Sequence, residues 1–117
     1  MANNYYQSTN PDYGKMSISK YVFAQIAEET LNTLASTSLK NSISLTLPKG
    51  KKLVDVSIQK DKIDVNIAIS SIRGSNASQA VEQIQQEVYS DLYDAVEISS
   101  IRVNVAVAGF VDTPKKA

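Results

Sequence analysis

The chain has no cysteine, no histidine and no tryptophan. Without cysteine there is no disulfide framework, no thiolate nucleophile and no iron–sulfur or zinc–thiolate site. Without histidine the Ser-His-Asp and Cys-His arrangements fall away, together with the usual general base and the commonest metal ligand. A phosphate-binding loop is missing as well. Its nearest approach, Arg73-Gly74-Ser75-Asn76, has a single glycine. A dinucleotide loop needs three and a P-loop needs two plus Lys-Ser/Thr. The segment reads instead as a strand-to-helix turn. No charge of either sign dominates: 12 Lys+Arg stand against 12 Asp+Glu, so no whole-protein field draws the chain toward nucleic acid or anionic lipid. No apolar run approaches the ~20 residues of a membrane span. The opening Met1-Ala2-Asn3-Asn4-Tyr5-Tyr6 carries neither a basic region nor an apolar run. A cytoplasmic protein is the expectation, reaching a membrane only through a partner.

What is present fits one domain at 117 residues. Residues 1–14 are rich in Asn, Ser, Thr and Tyr and lack aliphatic side chains, which reads as a flexible arm. Tyr5, Tyr6 and Tyr13 in that arm are either part of an ordinary tail or adhesive anchors for a partner. Met16-Ser17-Ile18 suits a short strand, and Ser19 suits the N-cap of a helix running to about Ala35. Val22, Phe23, Ile26, Ala27, Leu31, Leu34 and Ala35 recur on it at helical spacing.

After a polar loop the period changes to two. Ile43, Leu45 and Leu47 alternate with polar residues, as do Val54, Val56 and Ile58, then Ile63, Val65, Ile67 and Ile69. Three strands with tight connections predict an antiparallel meander with one face on a core. Asn76 followed by Gln79 matches a capping box for a second helix to about Ala95, striped by Ala77, Val81, Ile84, Val88, Leu92 and Ala95. A last strand alternates Ile101, Val103, Val105 and Val107 with Arg102, Asn104, Ala106 and Ala108. A strand, a crossover helix and another strand predict that 63–70 and 101–108 run parallel. The expected fold class is therefore α+β. It is a two-layer sandwich over residues 15–113, with a mixed sheet of about four strands, both helices on its apolar face and a tail at 114–117.

The opposite sheet face carries small, weakly charged residues, Asn66, Ser70 and Asn104 among them. Such a face is either plainly solvated or suited to another protein or a second copy. Charge is segregated locally. Between residues 40 and 62 there are six lysines (Lys40, Lys49, Lys51, Lys52, Lys60 and Lys62) against Asp55 and Asp61. Glu82, Glu87, Asp91, Asp94 and Glu97 gather on and after the second helix. The acids lack the glycine-turned spacing of a calcium loop and read as a solvated face, with no metal site. The lysines have no interleaved aromatics to stack bases, and Lys-rich turns commonly guard sheet edges. The two regions together make the domain electrically two-faced, which favours head-to-tail self-association.

Several strings resemble the alkaline shock protein (envelope stress response) family of Gram-positive bacteria. Ile18-Ser19 with Val22 and Ile26-Ala27 is similar to that family's opening strand and helix. Lys62-Ile63-Asp64-Val65-Asn66-Ile67 is similar to its central strand, and Ile84-Gln85 with Val88 to its second helix. Val103-Asn104-Val105-Ala106-Val107-Ala108-Gly109-Phe110 is similar to its closing strand. The chain reads as a divergent small member, with Ile72-Arg73-Gly74 where the family favours Tyr-Gly.

The resemblance implies a non-enzymatic, cofactor-free scaffold or adaptor that self-associates and is recruited to the membrane by an integral partner. Its expected contact residues are Lys49, Lys51, Lys52, Asn66, Ser70 and Asn104, with Tyr5, Tyr6 and Tyr13 secondary. The alternative is a small KH-like nucleic-acid-binding module using the lysine hairpin, although KH domains clamp the backbone with a GxxG loop that this chain lacks.

Overall fold

The structure is a computed structural model. It describes residues 5–10, 14–59, 62–96 and 100–112, and side chains for Tyr5 and from Ile18 onward. The chain order is β1 (Tyr5–Asn10), β2 (Gly14–Ser19), α1 (Lys20–Ser36), β3 (Ile43–Ser44), β4 (Val54–Gln59), β5 (Lys62–Ile72), α2 (Ala77–Val96) and β6 (Ile101–Val111). The α+β class and the placement of both helices on one face of a mixed sheet are as expected.

Both helices begin on side-chain caps. The Ser19 hydroxyl accepts from the Tyr21 amide at 3.2 Å, and Asn76 Oδ1 accepts from the Gln79 amide at 3.1 Å. Each satisfies one of the amides that a helix start leaves without a partner. α1 ends in Ser36-Thr37-Ser38, where hydroxyls compete for the last carbonyls. Ser36 Oγ donates to the Asn32 carbonyl at 2.8 Å and Thr37 Oγ1 to the Thr33 carbonyl at 2.6 Å. The Leu39 amide closes on the Leu34 carbonyl at 2.8 Å, so the chain leaves the helix with those carbonyls satisfied.

The sheet centres on β5. β4 pairs with it antiparallel from Val54↔Ile67 to Gln59↔Lys62, and β6 pairs with it parallel from Ile63↔Ile101 to Ile72↔Val111. β3 also pairs with β5, through Ile43↔Ser71 and Ser44↔Ser70. β6 occupies one edge of β5, so β3 and β4 lie end to end along the other. The expected meander is thereby corrected. Only Ile43–Ser44 of the expected first strand is extended in the sheet, and it skips β4. The reason is length: β5 spans 11 residues and β4 only 6, leaving the far end of β5 open to β3.

Alternation sends Val54, Val56 and Ile58 of β4 and Ile63, Val65, Ile67 and Ile69 of β5 into one core with the helices. α1 contributes Phe23, Ala27, Thr30, Leu31 and Leu34, and α2 contributes Ala80, Ile84, Val88 and Leu92. Val22, expected in the stripe, is 41% exposed, while Thr30 takes a buried place. The seven-residue step from Phe23 brings Thr30 onto the buried face, and Val22 falls to its margin.

The span read as a flexible arm contains regular structure. Tyr5–Asn10 pairs antiparallel with Gly14–Ser19, from Tyr5↔Ser19 to Asn10↔Gly14. Backbone pairing joins the Tyr- and Thr-containing strand to β2, whose Ile18 is buried in the core and supplies the aliphatic anchor that residues 1–14 lack. Tyr13 and the 114–117 tail lie outside the described residues.

Ile84 is fully buried between the helix layer and the sheet. Truncating Ile84→Ala is expected to cost about 2–5 kcal/mol in urea unfolding, against less than about 0.5 kcal/mol for Val22→Ala. Equal losses at the two positions would contradict the packing described.

Candidate interaction surfaces

The face of the sheet turned away from the helices is uncovered over most of its area. Asn66 and Asn104 sit opposite each other on β5 and β6, and Asn104 Nδ2 donates to Asn66 Oδ1 at 3.0 Å. Both are exposed, as are Arg102 and Ala106, with Ser57, Ala68 and Ala108 half-buried around them. The side chains are short because the face has no second layer to fill. Asp55 and Asp64 share this face with Arg102, so its few charges nearly balance.

Ser70, expected on this face, is corrected by the structure. It is 2% exposed, and its hydroxyl donates to the Thr46 carbonyl at 2.7 Å. The segment after β3 folds over this end of the sheet, where Pro48 comes against Gly109. A β-carbon at Gly109 would meet Pro48 Cγ at 3.4 Å, an ordinary van der Waals contact. The Ser70 hydroxyl therefore holds the loop to the sheet and is unavailable to a partner.

Lys49, Lys51 and Lys52 are exposed on the turn before β4, and Gly50 between them adopts φ 87°. A positive φ favours glycine there. Acidic side chains lie at the other end of the sheet's long axis. α2 starts after the C-terminal end of β5 and ends ahead of Ile101, which pairs with Ile63, so it runs back along β5. The lysine turn leads into Leu53, whose carbonyl accepts from the Ala68 amide at 3.0 Å near the opposite end of β5.

Between the two helices runs an open groove of about 490 Å³, lined by Glu29, Thr30, Thr33, Glu87, Asp91 and Asp94 over an apolar floor of Ile26, Leu34 and Ala95. The Thr30 hydroxyl lies 2.6 Å from Asp91 Oδ2 and 3.0 Å from the Ile26 carbonyl. Its one proton favours the shorter, charge-assisted bond. Sequence reasoning missed Thr30 and Glu29 as members of this groove. The signal was the placement of Asp91 one residue before the buried Leu92, beside the helix seam.

No group of three or more acidic, histidine or cysteine side chains suited to a metal exists among the described residues. Every buried side-chain polar atom among them has a hydrogen-bond partner. Lysines are exposed on the turn before β4, and carboxylates line the groove between the helices. Tyr5 is 57% exposed on the β1–β2 ribbon, and the side chain of Tyr6 lies outside the described residues. No helix of the described residues is long and apolar enough to cross a membrane. No family model, no curated protein and no solved structure matches this chain.

Thr30→Val and Asp91→Asn test the inter-helix bond by a double-mutant cycle. A coupling of about 1 kcal/mol is expected, at the low end for a hydrogen bond to a charged group because Asp91 is exposed. Additive single effects in urea unfolding would show that the bond contributes nothing.

Proposed function

We propose that this protein is a non-enzymatic scaffold or adaptor that works by protein–protein contact and self-association. The observation that carries the reading is the sheet face turned from the helices, where mostly short side chains surround Asn66 and Asn104 and Asp55, Asp64 and Arg102 nearly balance in charge. A monomer kept apart from its neighbours ordinarily carries denser charge on such a face. The exposed Lys49, Lys51 and Lys52 at one end and the Glu87, Asp91 and Asp94 groove at the other support end-to-end contact between copies. The resemblance to the alkaline shock protein family supports a cytoplasmic adaptor in cell-envelope stress response, brought to the membrane by an integral partner.

Two measurements test this. In a crosslinked pull-down of the tagged protein from its own cells, an integral membrane protein together with untagged copies is the expected recovery. RNA that survives moderate salt, without a membrane partner, would overturn the reading in favour of nucleic-acid binding through the lysine turn. Reversing Lys49→Glu, Lys51→Glu and Lys52→Glu together is expected to weaken self-association several-fold at low salt and less at high salt, read by sedimentation velocity. An unchanged low-salt profile would remove the lysine turn from the contact.

A further inference from the structure

The two edges of the main sheet are treated differently. The β3/β4 edge is broken into strands of 2 and 6 residues. Short strands are among the usual guards against edge-to-edge pairing. β6 lacks that guard. It runs for 11 residues from Ile101 to Val111, contains one charged side chain, Arg102, and pairs among the described residues with β5 alone.

The ladder shows which backbone groups this leaves outward. The Ile63 amide donates to the Ser100 carbonyl at 3.1 Å, so the even-numbered residues at this end of β6 turn their backbone groups toward β5. Backbone groups alternate sides along a strand, so those of Ile101, Val103, Val105 and Val107 point to the open edge. The one-residue shift between Ile69↔Val107 and Ser70↔Gly109 ends this run at Val107. Gln85 supports the assignment: its Nε2 reaches the Val103 carbonyl from α2 at a long 3.4 Å. Val103, Val105 and Val107 are only half-buried on the helix side. Beside them an open groove of about 440 Å³ is lined by Gln85, Gln86, Tyr89, Ile101, Arg102 and Val103.

We infer that β6 is a seam between two copies of this chain, paired antiparallel about a two-fold axis through Asn104. The inference rests on the self-association proposed above and names the surface that carries it. The sequence of β6 is complementary to itself in one register. With Asn104 opposite the partner's Asn104, Ile101 meets the partner's Val107 and Val103 meets the partner's Val105, so all four outward residues on each strand find a partner. A shift by one residue in either direction along the strand leaves an outward residue unpaired. Arg102 then lies opposite the partner's Ala106, so no like charges face each other. Each half-buried valine row gains a neighbour, and the two sheets become one continuous sheet with the helices on one side.

The natural chain has no cysteine, so a single introduced thiol is unique. In the full-length protein, Asn104→Cys places two thiols directly opposite each other, about 4.5 Å apart at Cα in a non-hydrogen-bonded pair. That is within the reach of a disulfide. Ala106→Cys places its own copies about 14 Å apart, from four residues of strand rise. Under mild oxidation the Asn104→Cys dimer is expected to form at least tenfold faster than the Ala106→Cys dimer. Mixing Ala106→Cys with Arg102→Cys should restore the fast rate.

Charge at position 106 gives a second readout on an exposed side chain that leaves the fold intact. Ala106→Lys faces the partner's Arg102 and should raise the dimer dissociation constant at least tenfold. Ala106→Glu should leave it equal or lower. If the natural chain assembles but the cysteines cross-link without positional preference, or both charges act alike, the seam is overturned and self-association through another surface stands. If the natural chain sediments as a monomer throughout, both the seam and the self-association reading are overturned.

Discussion

The row Ile63, Val65, Ile67 and Ile69 on β5 is the constraint around which the molecule is arranged. Each of these residues is at most 2% exposed. Burial on one side demands a layer of helices, and the row is too wide for one helix, so α1 packs over the β4 side and α2 over the β6 side. Hydrogen bonding demands strands along both edges of β5, because a central strand buried on one face leaves no water for its amides and carbonyls. β4 and β3 share one edge and β6 takes the other. Removing that row would release both helices and three strands together.

The crossover through α2 has consequences beyond the core. A helix that returns the chain along β5 makes β6 parallel and leaves it outermost. Only one face of the sheet is apolar, so the chain spends its large side chains there and lines the other face with Asn, Ser, Ala, Asp and Arg. Bonds such as Asn104 to Asn66 and Ser70 to the Thr46 carbonyl satisfy polar groups locally. The surface thereby keeps its polar groups paired without a dense run of charge.

The Thr30 hydroxyl donates to Asp91 Oδ2 at 2.6 Å and ties the two helices together across 61 residues of chain. Lysines stand on the turn before β4 toward one end of the sheet's long axis, and carboxylates line the groove between the helices toward the other, where Lys62 and Arg102 are also exposed.

Much of this was legible in the residues alone. The period-two runs, the helical stripes, the Ser19 and Asn76 caps and the parallel crossover are local or near-local properties. Each follows from side chains a few positions apart and from the handedness of L-residues. The positions of Lys49, Lys51, Lys52, Asn66 and Asn104 on exposed surface were legible for the same reason. Pairing partners were not. That β3 skips β4, that Thr46 and Pro48 cover Ser70, that Thr30 meets Asp91 across 61 residues and that Tyr5–Asn10 finds Gly14–Ser19 all depend on which backbone groups remain unpaired once longer strands are placed. Alternation along a strand says which face a side chain takes. Whether an edge of that strand is filled or open is decided by the lengths and order of every other strand, and only the assembled sheet shows β6 pairing, among the described residues, with β5 alone.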